Sequence, residues 1–537
     1  MRNFTHHKFF IAFLINGFLF FVILSLFKPC YSTDTDIYFL YTLSGGYGNA
    51  PTNLLHFSYG AHPILGWISV GLFSHFPRFN WYSFLLLSFH FVCCTSLLFS
   101  FLQYFSKLYA IVVFTIFFLF IESMLLLKFN YSGTALIGAI SGSISLLLFF
   151  TDKNQRNSYL NKKFLFFSLL ILVSGMIRIH YMVLFVAMVL CMAIFILSRR
   201  QFYKFIIIHV IIGIVFLILF QGQKYYYEKK IPQWKQEEQL RSAYYNIINH
   251  PGDKPKTNNS GFEKLKQDMA GIYYLFDKNL VNYETVKQIS NNRIGWFHRQ
   301  PVGLRDFYWL FRSLRVYFLL FAAVIFFFVM DGQFKLLFKF ICLSMFSVLI
   351  AVIIILFFKI TELIILSILS FILLSAIICL QRIIFPKPSL IAGAILILLG
   401  SGWMIIRLLK VNVQNEKVIS QTRSLIKEFN SHPGLFIETG PYFDFHLSIW
   451  DLPEKYPLRN LIDKGLIISN SYASQLARYG ITDLMKEIPV KDNIYLVGNK
   501  VSILIEYYKL LYNQTVHVKK VPGFEYIDAY QITTDNK

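Results

Sequence analysis

Long apolar runs broken by short polar connections dominate the chain up to residue 407. A helix crosses a hydrocarbon core of roughly 30 Å in about 20 apolar residues at 1.5 Å each. On that measure the pattern predicts spans at 9–27, 84–104, 108–127, 133–150, 164–177, 183–198, 204–220, 313–330, 336–357, 361–380 and 389–407. One more apolar stretch, 63–76, is too short to cross comfortably. Basic residues in short loops mark the cytoplasmic face, and here they crowd into 151–163, 198–204, 331–339 and 381–388. If 63–76 crosses, those loops scatter over both faces. If it lies at the outer interface, all four join the N-terminus in the cytoplasm. The expectation is therefore an all-α polytopic membrane domain of about eleven spans plus an interfacial helix, in the cell's inner (plasma) membrane. The N-terminus is cytoplasmic and the C-terminus extracytoplasmic.

Three polar regions then face outward: 28–83, 221–312 and 408–537. The second is rich in Tyr and Lys, with helices predicted at 234–247 and 261–277. In the third, strand-like runs at 434–438, 465–469, 493–497 and 515–521 alternate with helical stretches such as 501–513. This predicts an extracytoplasmic α/β domain over 408–537, set apart from a transmembrane domain over 1–407.

Composition agrees with a membrane chain: 56% of the 537 residues are hydrophobic, 15% are charged, and mean hydropathy is +0.53. The net charge of +22 brings no nucleic-acid motif with it. Anionic membrane lipids or a lipid-linked phosphate are the fitting counter-charges. Of six cysteines only Cys30 lies outside an apolar span, so no disulfide framework or metal spacing is present. The opening MRNFTHHKFF and the apolar run to Phe27 lack a small-residue cleavage site, and read as a retained anchor.

Candidate chemistry begins just past the first span. Asp34 and Asp36 stand in YSTDTDIYFLYTLSGGYG, and His62-Pro63-Ile64-Leu65-Gly66 opens the short apolar stretch. Pro63 suits a first helical turn, where its missing N–H costs nothing. Without a partner motif, both aspartates would read as solvated loop residues or a helix cap.

An acidic pair followed by HP-x-LG at an interfacial helix resembles the first external loop of GT-C glycosyltransferases. Protein O-mannosyltransferases and the aminoarabinose transferases of lipid A carry similar HPP-LG or KPP-L elements. The stretch DIYFLYTLSGGYG also resembles an uncharacterised bacterial membrane family with an acidic pair before a Ser-Gly-x-Tyr turn. The resemblance covers mainly residues 30–85. Here Thr35 splits the usual adjacent pair, and alignment on Ser44-Gly45 puts Asp36 on its second position and Thr35 on its first. Which aspartate works is left open.

The resemblance implies inverting transfer of a sugar from a polyprenyl-phosphate donor to an envelope glycan, lipid or protein on the outer face. Asp36 or Asp34 would be the catalytic carboxylate, with His62 beside it at the substrate. Cationic groups would hold the lipid phosphate. Arg178 and His180 interrupt a long apolar run, and ionisable groups at membrane depth are functional candidates, although a snorkelling Arg reads the same way. Glu122 with Lys128 reads as a substrate-site pair or a structural ion pair, and Lys359 with Glu362 likewise.

Arg305, Arg312 and Arg315 read as helix-flanking anchors, and Arg241 and Asp268 as solvated. Tyr225–Tyr227 and Trp234 read as an interfacial aromatic belt or as sugar-stacking faces. A divalent cation is left open, with no ligand cluster to support it. Two other classes fit the span count: a polysaccharide polymerase or ligase of the O-antigen or capsule type, and a transporter or flippase for lipid-linked sugars. The latter predicts paired interrupted helices in two halves, and the sequence shows one interruption.

Overall fold

A computed structural model of the chain describes residues 2–54, 62–151, 162–231, 234–249, 261–271, 277, 280, 282–293, 304–330, 332–357, 361–380, 387–439, 444–462, 471–498 and 500–534. Two compact units emerge. The first gathers Met1–Cys30, Ser83–Gln221 and Val302–Glu416; the second gathers Tyr31–Tyr82, Gly222–Pro301 and Lys417–Lys537.

Among the described residues, eight helices are long and apolar enough to cross a membrane: His6–Leu26, Trp81–Tyr104, Lys107–Leu127, Tyr131–Thr151, Lys162–Ile196, Arg199–Lys230, Glu362–Leu380 and Gly393–Ser431. Tyr317–Met330 is a shorter apolar helix, and Phe334–Phe357 is helical throughout. Residues such as Phe21, Ile218 and Leu398 leave more than half their surface open on this unit, a pattern that hydrocarbon, not water, accommodates. The chain is a multi-pass membrane protein.

Tyr131–Thr151 and Glu362–Leu380 are instead buried almost throughout. The first is rich in Ser and Gly, which let neighbouring backbones close in. A Cβ on Gly142 would sit 2.6 Å from Ile171 Cγ1 and 2.8 Å from the Phe167 carbonyl oxygen. Ser367, Ser370 and Ser375 return their hydroxyls to carbonyls four residues back at 2.6–2.8 Å, so these three hydroxyls are satisfied within their own helix.

The spans predicted at 164–177 and 183–198 form one element, Lys162–Ile196, broken only at Arg178 (φ −159°, ψ 109°). A single extended residue replaces the expected turn, because the apolar sequence on both sides is helical up to it. The last span also outruns its apolar stretch: its helix, Lys387–Ser431, continues well past residue 407. Hydropathy falls there, but Ile419, Ile426 and Phe429 stay buried at helical spacing.

In the second unit, a five-stranded sheet runs in the order Leu461–Ile462, Leu435–Glu438, Ile494–Val497, Ala529–Thr534, Val516–Lys520. The first three strands are parallel and the last two pairings antiparallel. The stretch 465–469, read as a strand, lies outside the described residues. Leu461–Ile462 and Ala529–Thr534 were not legible, the former for its length and the latter for its polar composition. Leu265, Met269, Val286 and Ile289 share one core with Leu435, Leu496 and Tyr508, and Tyr507 Oη donates to Asp277 Oδ2 at 2.6 Å. The polar stretch after residue 221 thus packs with the sheet within this unit.

Glu487 closes a short helix here. It accepts from Thr482 N at 2.7 Å and Asp483 N at 3.1 Å, and pairs with Lys491 at 2.8 Å. The Lys491 and backbone contacts hold its carboxyl down at about 2. A depressed carboxylate contributes stability above its unfolded pKa and loses it as pH falls through the folded one. Glu487→Gln should therefore flatten that part of the acid-unfolding curve lying between about 4.5 and about 2, read by circular dichroism of the full chain.

Candidate functional site

Helix Asp34–Ser44 opens on a Thr33 cap, whose hydroxyl accepts from Asp36 N at 3.4 Å. The same hydroxyl donates to Asp36 Oδ2 at 2.5 Å, a variant of the capping box. Asp36 Oδ1 accepts from Tyr82 Oη at 2.8 Å. Asp36 is fully buried, whereas Asp34, two residues earlier, stays half-exposed. Within one turn, Asp36 faces inward with a hydroxyl on each oxygen, while Asp34 stays half-exposed.

The helix ends at Gly45, in left-handed backbone (φ 76°), with its N–H on the Tyr41 carbonyl. Gly46 is needed for space, since a Cβ there would stand 2.2 Å from the Tyr41 ring. These glycines form the turn at the Ser-Gly-x-Tyr position that the family resemblance implied.

His62 caps helix Pro63–His75, its Nδ1 accepting from Ile64 N at 3.3 Å. Ile64, Trp67 and Ile68 are exposed on that helix while Gly66, Ser69 and Phe73 are buried. Helix capping is thus one role that geometry gives His62. Trp67 Nε1 and Asn53 Nδ2 both reach Tyr226 Oη, at 3.3 and 3.2 Å. Tyr227 stacks on Trp234 with centroids 4.6 Å apart, and both are buried. The Tyr227–Trp234 pair is part of a packed cluster, while Tyr225 remains exposed.

The first unit holds two further polar clusters. Glu122 ends a π-helical turn, Phe118–Glu122, within its span, and such turns often mark functional positions. Its Oε1 lies 2.7 Å from His90 Nδ1, and His90 Nε2 lies 2.9 Å from Thr134 Oγ1. All three side chains are fully buried. Thr134 Oγ1 donates to the Asn130 carbonyl at 3.1 Å, so it accepts from His90 Nε2. The other nitrogen then faces a carboxylate oxygen at hydrogen-bond distance, and a proton must lie between them. Glu122 Oε2 accepts no hydrogen bond among the described residues.

Lys128 does not pair with Glu122. Its Nζ lies 2.6 Å from Glu362 Oε2, and Arg407 Nη2 lies 3.4 Å from Glu362 Oε1. The proposed Glu122–Lys128 pairing is replaced by two separate arrangements, because the helix turns Glu122 inward and leaves Lys128 beyond its end. Lys359 lies outside the described residues, as do the side chains of Arg241, Arg305, Arg312 and Arg315; Asp268 is half-buried on helix Phe262–Gly271.

Arg178 sits over the Tyr131 ring at 4.9 Å, and His180 is exposed. Burial pushes the Cys30 thiol up to about 12 despite the nearby Lys128 charge. Among the described residues, no group of three or more His, Cys, Asp or Glu side chains is placed to hold a metal.

Sequence reasoning passed over Tyr82, Asn80, His90, Thr134 and Arg407. His90 carried a readable signal, an ionisable residue deep in an apolar span. Tyr82 and Asn80 carried none, since polar aromatic and amide residues are routine where a span begins.

No family model matches the chain, and no curated protein matches it. Among solved structures, ArnT from Cupriavidus metallidurans in the apo state matches with a TM-score of 0.45 at 9% identity, covering 97% of each chain. The same protein bound to undecaprenyl phosphate matches with a TM-score of 0.44 at 10% identity, covering 98% of each chain.

Proposed function

We propose that this chain is a GT-C-type membrane glycosyltransferase, moving a sugar from a polyprenyl-phosphate carrier to a cell-envelope acceptor on the outer face. The observation that carries the reading is the Asp36 carboxylate, buried and held by one hydroxyl on each oxygen. A carboxylate serving only as a cap could stay at the surface, as Asp34 does. Burying one is costly, so a carboxylate held in this way inside the protein is a functional candidate.

In the reaction, an acceptor hydroxyl attacks the sugar's anomeric carbon as the bond from that carbon to the phosphate oxygen breaks. Polyprenyl phosphate leaves with the bonding electrons, and the acceptor's proton passes to Asp36. Asp36, with Tyr82 on one oxygen and Thr33 on the other, is the carboxylate assigned to take up that proton. Cationic side chains of the kind that stabilise a phosphate leaving group would be required as the carrier departs. The basic-loop asymmetry supports a cytoplasmic N-terminus and an outward C-terminus.

The test is direct. Purified protein in liposomes, given a panel of radiolabelled polyprenyl-phosphate monosaccharides and an envelope extract, should release free polyprenyl phosphate and label an acceptor. Transbilayer movement of an intact donor without bond cleavage would instead establish a flippase, and consumption of only pyrophosphate-linked oligosaccharides a polymerase.

A further inference from the structure

Both hydroxyls on Asp36 belong to segments fastened to one stretch of the C-terminal region, His446–Asp451. Tyr31, two residues before Thr33, donates its N–H to the Leu447 carbonyl at 3.0 Å. Its own carbonyl accepts from His446 Nδ1 at 2.9 Å. Asn80, two residues before Tyr82, shares its amide N–H groups among the Ile449 carbonyl (3.1 Å), the Asp451 carbonyl (2.9 Å) and Tyr31 Oη (3.1 Å). The Tyr31 and Tyr82 rings lie 6.0 Å apart.

The stretch is itself pinned. Arg423 grips Asp451 through two bonds, at 2.6 and 3.1 Å, and Asp451 Oδ2 accepts from Ser448 N at 3.0 Å. Asp451 and Asn80 are both buried. Bidentate Arg–carboxylate pairs fix geometry as well as adding energy. A buried amide bonded to three acceptors likewise has one orientation open to it.

We propose that His446–Asp451 is a positioning element for the Asp36 carboxylate. It acts through Asn80 and Tyr82 on one oxygen, and through Tyr31 and Thr33 on the other. These are positioning residues, and only Asp36 meets the reacting hydroxyl. The proposal gives the C-terminal region a role at the site. It rests on the proposed transferase for what Asp36 does, but the contacts can be tested without that activity.

The experiment reads the titration of Asp36 by infrared difference spectroscopy of the full-length protein in detergent, with Asp36→Asn as the blank. Tyr82→Phe should raise the midpoint by about one pH unit, the shift expected when a charged group loses a donor. Asn80→Ala should move it the same way. The double variant should move it no further than Tyr82→Phe, because Asn80 acts through Tyr82. Thr33→Ala should also raise the midpoint and Thr33→Ser should restore it, a pair that keeps the test available if a Tyr82 variant fails to fold.

A midpoint unmoved by Asn80→Ala, additive shifts in the double variant, or failure of Thr33→Ser to restore it would overturn the proposal. Those outcomes are separate from the transferase reading, which falls if Asp36→Asn retains full transfer whatever the midpoints do.

Discussion

Replacing Asp36 with Asn should lower transfer by about 10²–10⁴-fold, the range lost when a general base is removed, while the protein still inserts and purifies folded. The amide keeps the size of the carboxylate but cannot take up the acceptor's proton. Asp34→Asn should leave the rate within about twofold, as expected for a surface substitution away from the reacting groups. The contrast is the informative part, because both residues lie in one helical turn and differ in burial and partners. Initial rates of polyprenyl phosphate release from the two variants, compared with wild type, check it. Full activity in Asp36→Asn would sink the catalytic assignment, and an equal loss in both variants would show that the turn matters only as a cap.

The second large effect is on stability. His90→Leu or Glu122→Leu should each cost about 3–5 kcal/mol, the usual loss when one partner of a buried pair is removed. Either change strands the other group in an apolar interior. Glu122→Gln should cost less than about 1.5 kcal/mol, since its amide can donate to His90 Nδ1 just as the bridging proton does. Thermal melting in detergent, followed by loss of helical circular dichroism, separates the two classes. A Glu122→Leu variant as stable as wild type would mean that the His90–Glu122–Thr134 network does not form.

The membrane-embedded architecture was legible because hydrocarbon imposes a length rule that sequence displays directly. The short helix was legible too, since Pro63 and a short apolar run set its start and extent. Where the reading stopped short, the cause was local. The helix past residue 407 continues on propensity and spaced apolar contacts after hydropathy has fallen. The strand Ala529–Thr534 is polar enough to look like a loop, and joins the sheet through pairing with Val516–Lys520.

At the site, residue types and spacing marked Asp34 and Asp36 as candidates but could not rank them, because adjacent helical positions look alike until one is turned inward. Glu122 and Lys128 looked like a pair because they are close in sequence. Their partners, His90 and Glu362, come from other helices, and no spacing rule reaches that far.

The sequence alone determined that this chain lives in a membrane and where the short helix begins. Those follow from solvent and from local backbone rules. Only the tertiary structure decided that Asp36 is the buried carboxylate, that Tyr82 and Thr33 hold it, and that residues beyond 440 bond to Tyr31 and Asn80, two positions before those donors. Hydrogen bonds between residues hundreds of positions apart depend on how the chain closes on itself, which no local pattern encodes.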